Sequence, residues 1–310
     1  MPDNQYQIDP FSAQDIDIAV DRILRDLGNP EPPLRLEDVR ELLKLDLSYY
    51  SKTDLNFLDE ISHQVVMAGN TIMSNAKRMF DVVSKVGLRG ILLPAERQIF
   101  IDDDVADLKK RFLIGHEIAH DFIPWHKPLM MGDNDETISP SCHHEMEAEA
   151  NYGSRRLIFL GDRFAAEWRD NNGFDWKRAS ASGKAFGNTL TTTLWQIVHT
   201  SPAEAPTLGL MSVHPRHHGF CSRAGGGNVA YFFGSERFNQ QFSNITEEVV
   251  FSEVCKYVGF NKRGPLGSSV QVLTDVNGDA YDFEFSSFCN GYDVLTHASM
   301  IGPHTSIIGF

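Results

Sequence analysis

His116 and His120 stand four residues apart with Glu117 between them, in the stretch GHEIAHDFIPWH at 115–126. On a helix that spacing puts both imidazoles on one face, where they can share a metal ion, and sets the glutamate beside them, within reach of a metal-bound water. The chemistry expected of such a pair is zinc binding, with Glu117 as general base for hydrolysis. The competing reading, a helix whose histidines are surface or capping groups, lacks a use for the glutamate.

A catalytic zinc needs a third protein ligand, and two sources are available. His126 follows His120 by six residues, the metzincin spacing, but the glycine that lets that chain turn sharply is replaced here by Ile123, whose branched side chain tolerates a left-handed backbone poorly. The other source is EMEAEAN at 145–151. At 100° per residue Glu145 and Glu149 share one side of a helix, and Glu147 points elsewhere. The apolar stripe Met146, Ala150, Gly153, Leu157 and Ile158 passes nearer to Glu147, and Asn151 follows it by one turn, able to support the ligands by hydrogen bonding. Glu147 is the preferred third ligand and Glu149 the reserve. Two histidines and one carboxylate leave a fourth tetrahedral position for water.

These residues must be carried by ordered elements, and the periodicity supplies them. Ser12 is read as the N-cap of an amphipathic helix bearing Ile16, Ala19, Val20, Ile23, Leu24 and Leu27, stopped by Gly28. NPEPP (29–33) links it to a short helix through Val39, Leu42 and Leu43, and residues 58–83 are expected to be helical. GILLPAERQIFID (90–102) reads as a hairpin, which could take substrate backbone as an added strand, with Gln98 and Phe100 as the positions to test. The motif helix runs from Leu108 to Ile123 and is ended by Pro124. A polar loop of about 20 residues, a helix over 145–160 and another over 182–200 follow. VQVLTDVNGDAYDFEF (270–285) is expected to be a hairpin with Asn277 and Gly278 in a type I′ turn. The fold class is therefore α+β. A helical N-terminal part and metal domain span 1–222, RAGGGN (223–228) marks the boundary, and a small sheet-containing domain spans 229–310, with a regulatory or sensory role.

Composition narrows the setting. Forty-two acidic against 28 basic residues give a net charge of −14, which argues against direct binding of nucleic acid or an anionic membrane. No apolar run is long enough for a membrane helix and the first residues lack a signal-peptide pattern, so a cytoplasmic protein is expected. Four dispersed cysteines, Cys142, Cys221, Cys255 and Cys289, suggest neither disulfides nor a thiolate metal site. DVNGD (275–279) lacks the register of a calcium loop, and HPRHHG (214–219) reads as a solvated loop rather than a metal site.

KRFLIGHEIAH (110–120) and EMEAEANYGSRRLIF (145–159) together resemble the ImmA/IrrE family of metallo-endopeptidases, in which HExxH is followed by a helix bearing E-x-x-A-N. The hairpin at 90–102 and GKAFGNTLTTTLWQIVHTSP (183–202) extend the likeness over roughly residues 15–220. It implies a zincin-like peptidase domain, His116, His120 and Glu147 as zinc ligands, and Glu117 as general base. It also implies a protein substrate, a DNA-binding helix-turn-helix repressor, and a place in stress response or mobile-element control. The chain departs from the family at Gly153 and Ser154, where an aromatic residue and an alanine are usual, and shows no helix-turn-helix segment near its start. Tyr152, His126 and His214 are candidates for a second oxyanion donor. The alternative is a zinc-bearing sensor or binding module without peptidase activity.

Overall fold

A computed structural model describes residues 8–51, 89–127, 140–169, 173–202, 204–217 and 227–305. It is a mixed α+β chain whose described residues divide into two compact units, one within 8–164 together with 185–188, and the other within 165–184 and 189–305. The helix expected over 58–83 lies outside the described residues. Among those described, no helix is long and apolar enough to cross a membrane.

The first unit opens with α1 (Pro10–Asp26), which buries Ile16, Val20, Ile23 and Leu24 along one stripe. Its cap is Asp9 rather than Ser12: the Asp9 carboxylate accepts from the backbone N–H groups of Phe11 and Ser12, and Pro10 takes the first helical position, where no amide hydrogen is needed. After α2 (Leu36–Leu43) come β1 (Asp46–Tyr50), β2 (Gly90–Leu93) and β3 (Gln98–Asp102). They form a three-stranded sheet with β3 in the middle, parallel to β1 and antiparallel to β2. The expected hairpin is β2 and β3.

Two helices complete this unit. α3 (Asp107–Phe122) carries the HExxH residues, and Ile123 leaves it in an extended conformation, as a residue before proline must. α4 (Pro140–Ile158) crosses α3 closely because small residues meet there. A Cβ on Gly115 would come 2.8 Å from Ser154 Oγ, and one on Gly153 would come 3.3 Å from the Ala119 Cβ and 3.0 Å from the Phe122 ring. The two departures from the family pattern thus sit at the helix crossing, where Ser154 also donates to the Phe112 carbonyl at 3.3 Å.

The second unit contains most of α5 (Arg163–Arg169), then α6 (Trp176–Ala185), α7 (Leu190–His199), β4 (Thr207–Ser212), β5 (Val229–Gly234), α8 (Glu236–Gln241), α9 (Glu247–Tyr257), β6 (Gly264–Thr274), β7 (Ala280–Cys289) and β8 (Val294–Pro303). Its five strands pair antiparallel in the order β5-β4-β8-β7-β6. Phe238 of α8, Phe242 just after it, and Val250 and Val254 of α9 cover one face. Trp176, Leu194 and Val198 of α6 and α7 cover the other. With both faces covered, all six residues of β4 are buried.

Three expectations change here. The boundary at 223–228 falls inside this unit, because β4 pairs with β8 through Thr207↔Ser299 to Ser212↔Val294 and so joins chain from both sides of the glycine-rich stretch. The single helix over 182–200 is two, broken at Gly187, whose φ of +71° favours a residue without a side chain. The β6–β7 connection is a five-residue loop, 275–279, and not a type I′ turn: Gly278 alone takes a positive φ, and the Asp275 carboxylate accepts from the N–H groups of Asn277 and Asp279.

Candidate metal centre

The helix periodicity of α3 places His116 and His120 one turn apart, with their Nε2 atoms 3.2 Å apart. The close crossing of α4 brings Glu147 to the same point: its Oε2 lies 3.2 Å from His116 Nε2 and its Oε1 3.5 Å from His120 Nε2. One ligand atom from each of the three residues lies within 4.8 Å of the others. Two imidazole nitrogens and a carboxylate oxygen converging this tightly could hold a metal ion, and the donor set suits a borderline cation with an open position. Glu147 is part-exposed at 39%, so the centre is reachable from solvent on that side, whereas both histidines are buried.

Electrostatics follow from that burial. Desolvation alone would lower the pKa of His116, but the adjoining Glu147 carboxylate outweighs it and the imidazole is raised. Burial dominates at His120, whose pKa falls to about 4, leaving it neutral. Glu147 is held as a carboxylate, because hydrogen bonds from the two imidazoles overcome the opposing effect of burial.

Glu117 lies against β2. It is buried, and desolvation, assisted by the Glu147 charge, pushes its pKa up to about 7 against the favourable influence of His116 and an N–H bond from Leu92. A carboxylate tuned to that range can both take and return a proton near neutral pH. Gly90 at the start of β2 leaves the space it occupies, since a Cβ there would stand 2.6 Å from Glu117 Oε1. Tyr50 is buried near this carboxylate, and desolvation with the charges of Asp102 and Glu117 raises its hydroxyl to about 12.

The remaining candidates have other partners. Glu149 accepts from Trp125 Nε1 at 2.7 Å and meets His126 Nε2 at 2.9 Å, so it lies outside the triad. His126, fully buried, sits with its Nδ1 2.9 Å from His120 Nδ1, on the side of that ring remote from Glu147. Asn151 does support the ligands, through His116: its Oδ1 is 3.1 Å from His116 Nδ1. None of the three oxyanion candidates is free for that role. Tyr152 donates to Asp17 at 3.0 Å, His126 is engaged as above, and His214, in the other unit, bonds the Asn261 carbonyl at 2.9 Å.

The centre is braced from below. Asp121, buried one residue beyond His120, pairs with Arg97 and with Lys127 at 2.9 Å, and Arg97 also donates to the Leu43 carbonyl, tying α3 to β3 and α2. Arg156 on α4 bonds Asp17 on α1 and Asp162. Gly90, Trp125 and Asp121 were not singled out by sequence reasoning; only the acidic residue following HExxH gave a usable signal, and one of its two partners, Arg97, is 24 residues away in the chain.

No protein-family model and no curated protein matches the chain. Among solved structures, one described as a Mycobacterium tuberculosis transcriptional regulator is similar over 92% of this chain and 87% of its own length, with a TM-score of 0.52 and 12% sequence identity. That likeness concerns the fold.

Proposed function

We propose that the chain is a zinc-dependent endopeptidase with a zincin-like catalytic unit, His116, His120 and Glu147 holding the metal and Glu117 acting as general base. The observation that carries this reading is the buried Glu117 carboxylate beside a triad of metal-ligating geometry, since a site that only stores a metal has no use for a further carboxylate buried next to it. When bound, zinc would polarise the scissile carbonyl and make a water more acidic. Glu117, oriented by the Leu92 N–H, takes the proton from the attacking water and delivers it to the leaving amide nitrogen. Substrate backbone is taken along the hairpin. The receiving strand is β2, not β3, because β3 lies between β1 and β2 while β2 is the sheet's edge among the described residues.

The resemblance of the two motif helices to ImmA/IrrE peptidases supports a protein substrate, with a DNA-binding repressor as the class to try first. A second reading is a metal-bearing sensor without peptidase activity, in which the three converging ligand atoms hold an ion and Glu117 does no chemistry. One experiment separates them: zinc content by elemental analysis, with mass spectrometry of a proteome-derived peptide library incubated with wild type and Glu117→Gln. One zinc in both proteins and cleavage only by wild type supports the peptidase. Zinc without cleavage in either supports the sensor, and no zinc in the reloaded wild type defeats both.

A further inference from the structure

The hydrogen-bond roles around His120 close in one arrangement. A neutral imidazole that offers Nε2 to a metal carries its proton on Nδ1. That Nδ1 lies 2.9 Å from His126 Nδ1, so His126 must accept there and carry its own proton on Nε2. His126 Nε2 in turn lies 2.9 Å from Glu149 Oε2, which is fixed by a second donor, Trp125 Nε1, at 2.7 Å. Every polar atom in the row is thereby matched, as a buried row requires.

We propose that His126 and Glu149 are positioning residues that, through the row Glu149–His126–His120, hold His120 in the tautomer and ring orientation that present Nε2 to the metal. This rests on reading His116, His120 and Glu147 as a metal centre. It gives His126 a use that its spacing from HExxH does not suggest: it stands behind a ligand and is not itself one. It also accounts for two of the three acids in the 145–151 stretch of α4. Glu147 and Asn151, one turn apart, face α3 and serve the metal and His116 directly. Glu149, turned about 200° from Glu147 on the helix, reaches the residues just beyond α3 and serves His120 through His126. Each histidine ligand is therefore backed by a group on α4.

The test uses the full chain and zinc alone. Zinc affinity is measured by competition with a chromophoric chelator for wild type, His126→Phe, Glu149→Gln, the double variant and, as a reference for the centre itself, Glu147→Gln; apo melting temperatures report folding. His126→Phe should weaken binding about 10- to 100-fold, the usual effect of removing a ligand's hydrogen-bond partner. Glu149→Gln should weaken it several-fold, and the double variant no further than His126→Phe, because Glu149 acts through His126. In the zinc-loaded wild type the His120 Nδ1 proton should be slow to exchange by ¹⁵N-edited NMR, and fast in His126→Phe. Wild-type affinity and slow exchange in a folded His126→Phe overturn the proposal. If that variant does not fold, unchanged affinity in Glu149→Gln overturns it. Failure of wild type to bind zinc, or binding by Glu147→Gln equal to wild type, instead overturns the metal centre on which it rests.

Discussion

The carboxylate of Glu117 fills the space that a side chain on Gly90 would need, with Oε1 2.6 Å from the position of a Cβ. The first strand of the hairpin and the proposed general base of the motif helix are thus mutually shaped, although 27 residues separate them in the chain.

Gly90→Ala should therefore displace Glu117 without touching the metal ligands. Zinc stoichiometry should be unchanged and kcat for peptide cleavage should fall about a hundredfold, the scale expected when a catalytic group shifts by about 1 Å. Steady-state kinetics beside elemental analysis would check this; equal loss of zinc would show that Gly90 supports the ligands instead.

The ligand assignment makes a second prediction. At saturating zinc, Glu147→Gln should retain well under one zinc per chain, whereas Glu149→Gln and Glu117→Gln should each retain one, because only Glu147 reaches both imidazole Nε2 atoms. A Glu149 variant that loses the metal while Glu147→Gln keeps it would reverse the assignment.

Metal uptake should depend on pH in a definite direction. His116 has a pKa raised above its usual 6.5, so a proton and the metal compete for its Nε2. Zinc affinity should rise with pH through and somewhat above that value and fall steadily below it, with protons released on binding. Calorimetry in buffers of different ionisation enthalpy would measure the release. His120, with its pKa near 4, should contribute only in acid.

Stability should fall in acid for a separate reason in the second unit. His297 is buried with its ring stacked on Phe174 at 3.7 Å, and desolvation lowers its pKa to about 3. The unfolded chain binds this proton below about pH 6.5 while the folded chain refuses it until about 3, so the neutral histidine's contribution is intact above 6.5 and is lost as pH falls across that window. The loss is on the order of 5 kcal/mol at about 1.4 kcal/mol per pKa unit. Denaturant titrations of His297→Phe should show a flatter acid limb than wild type; identical limbs would remove His297 as the cause.

Much of the fold was readable from local pattern. The apolar stripes of α1 and α3, the proline that ends α3 and the alternation of β2 and β3 are local signals, and the elements lie within a few residues of where those signals put them. One difference is local and the other arises where the partner is remote. Ser12 looked like a cap because its type fits, but Asp9 precedes a proline that starts the helix earlier. The stretch RAGGGN at 223–228 looked like a boundary because glycine and asparagine favour loops, yet β4, ahead of it, pairs with β8 more than 80 residues on.

The motif helix, the one-turn spacing of His116 and His120, and the preference for Glu147 from the angle between residues on α4 can all be worked out from the order of the residues. Each follows from periodicity along a single element. Asn151 as a support for the ligands was also readable, but other pairings could be known only from the folded chain: Glu149 and His126 in a row behind His120, Gly90 against Glu117. Those relationships depend on how closely α4 and β2 approach α3, and that distance is set by the small residues Gly115, Ala119 and Gly153 packing across a crossing that periodicity cannot describe.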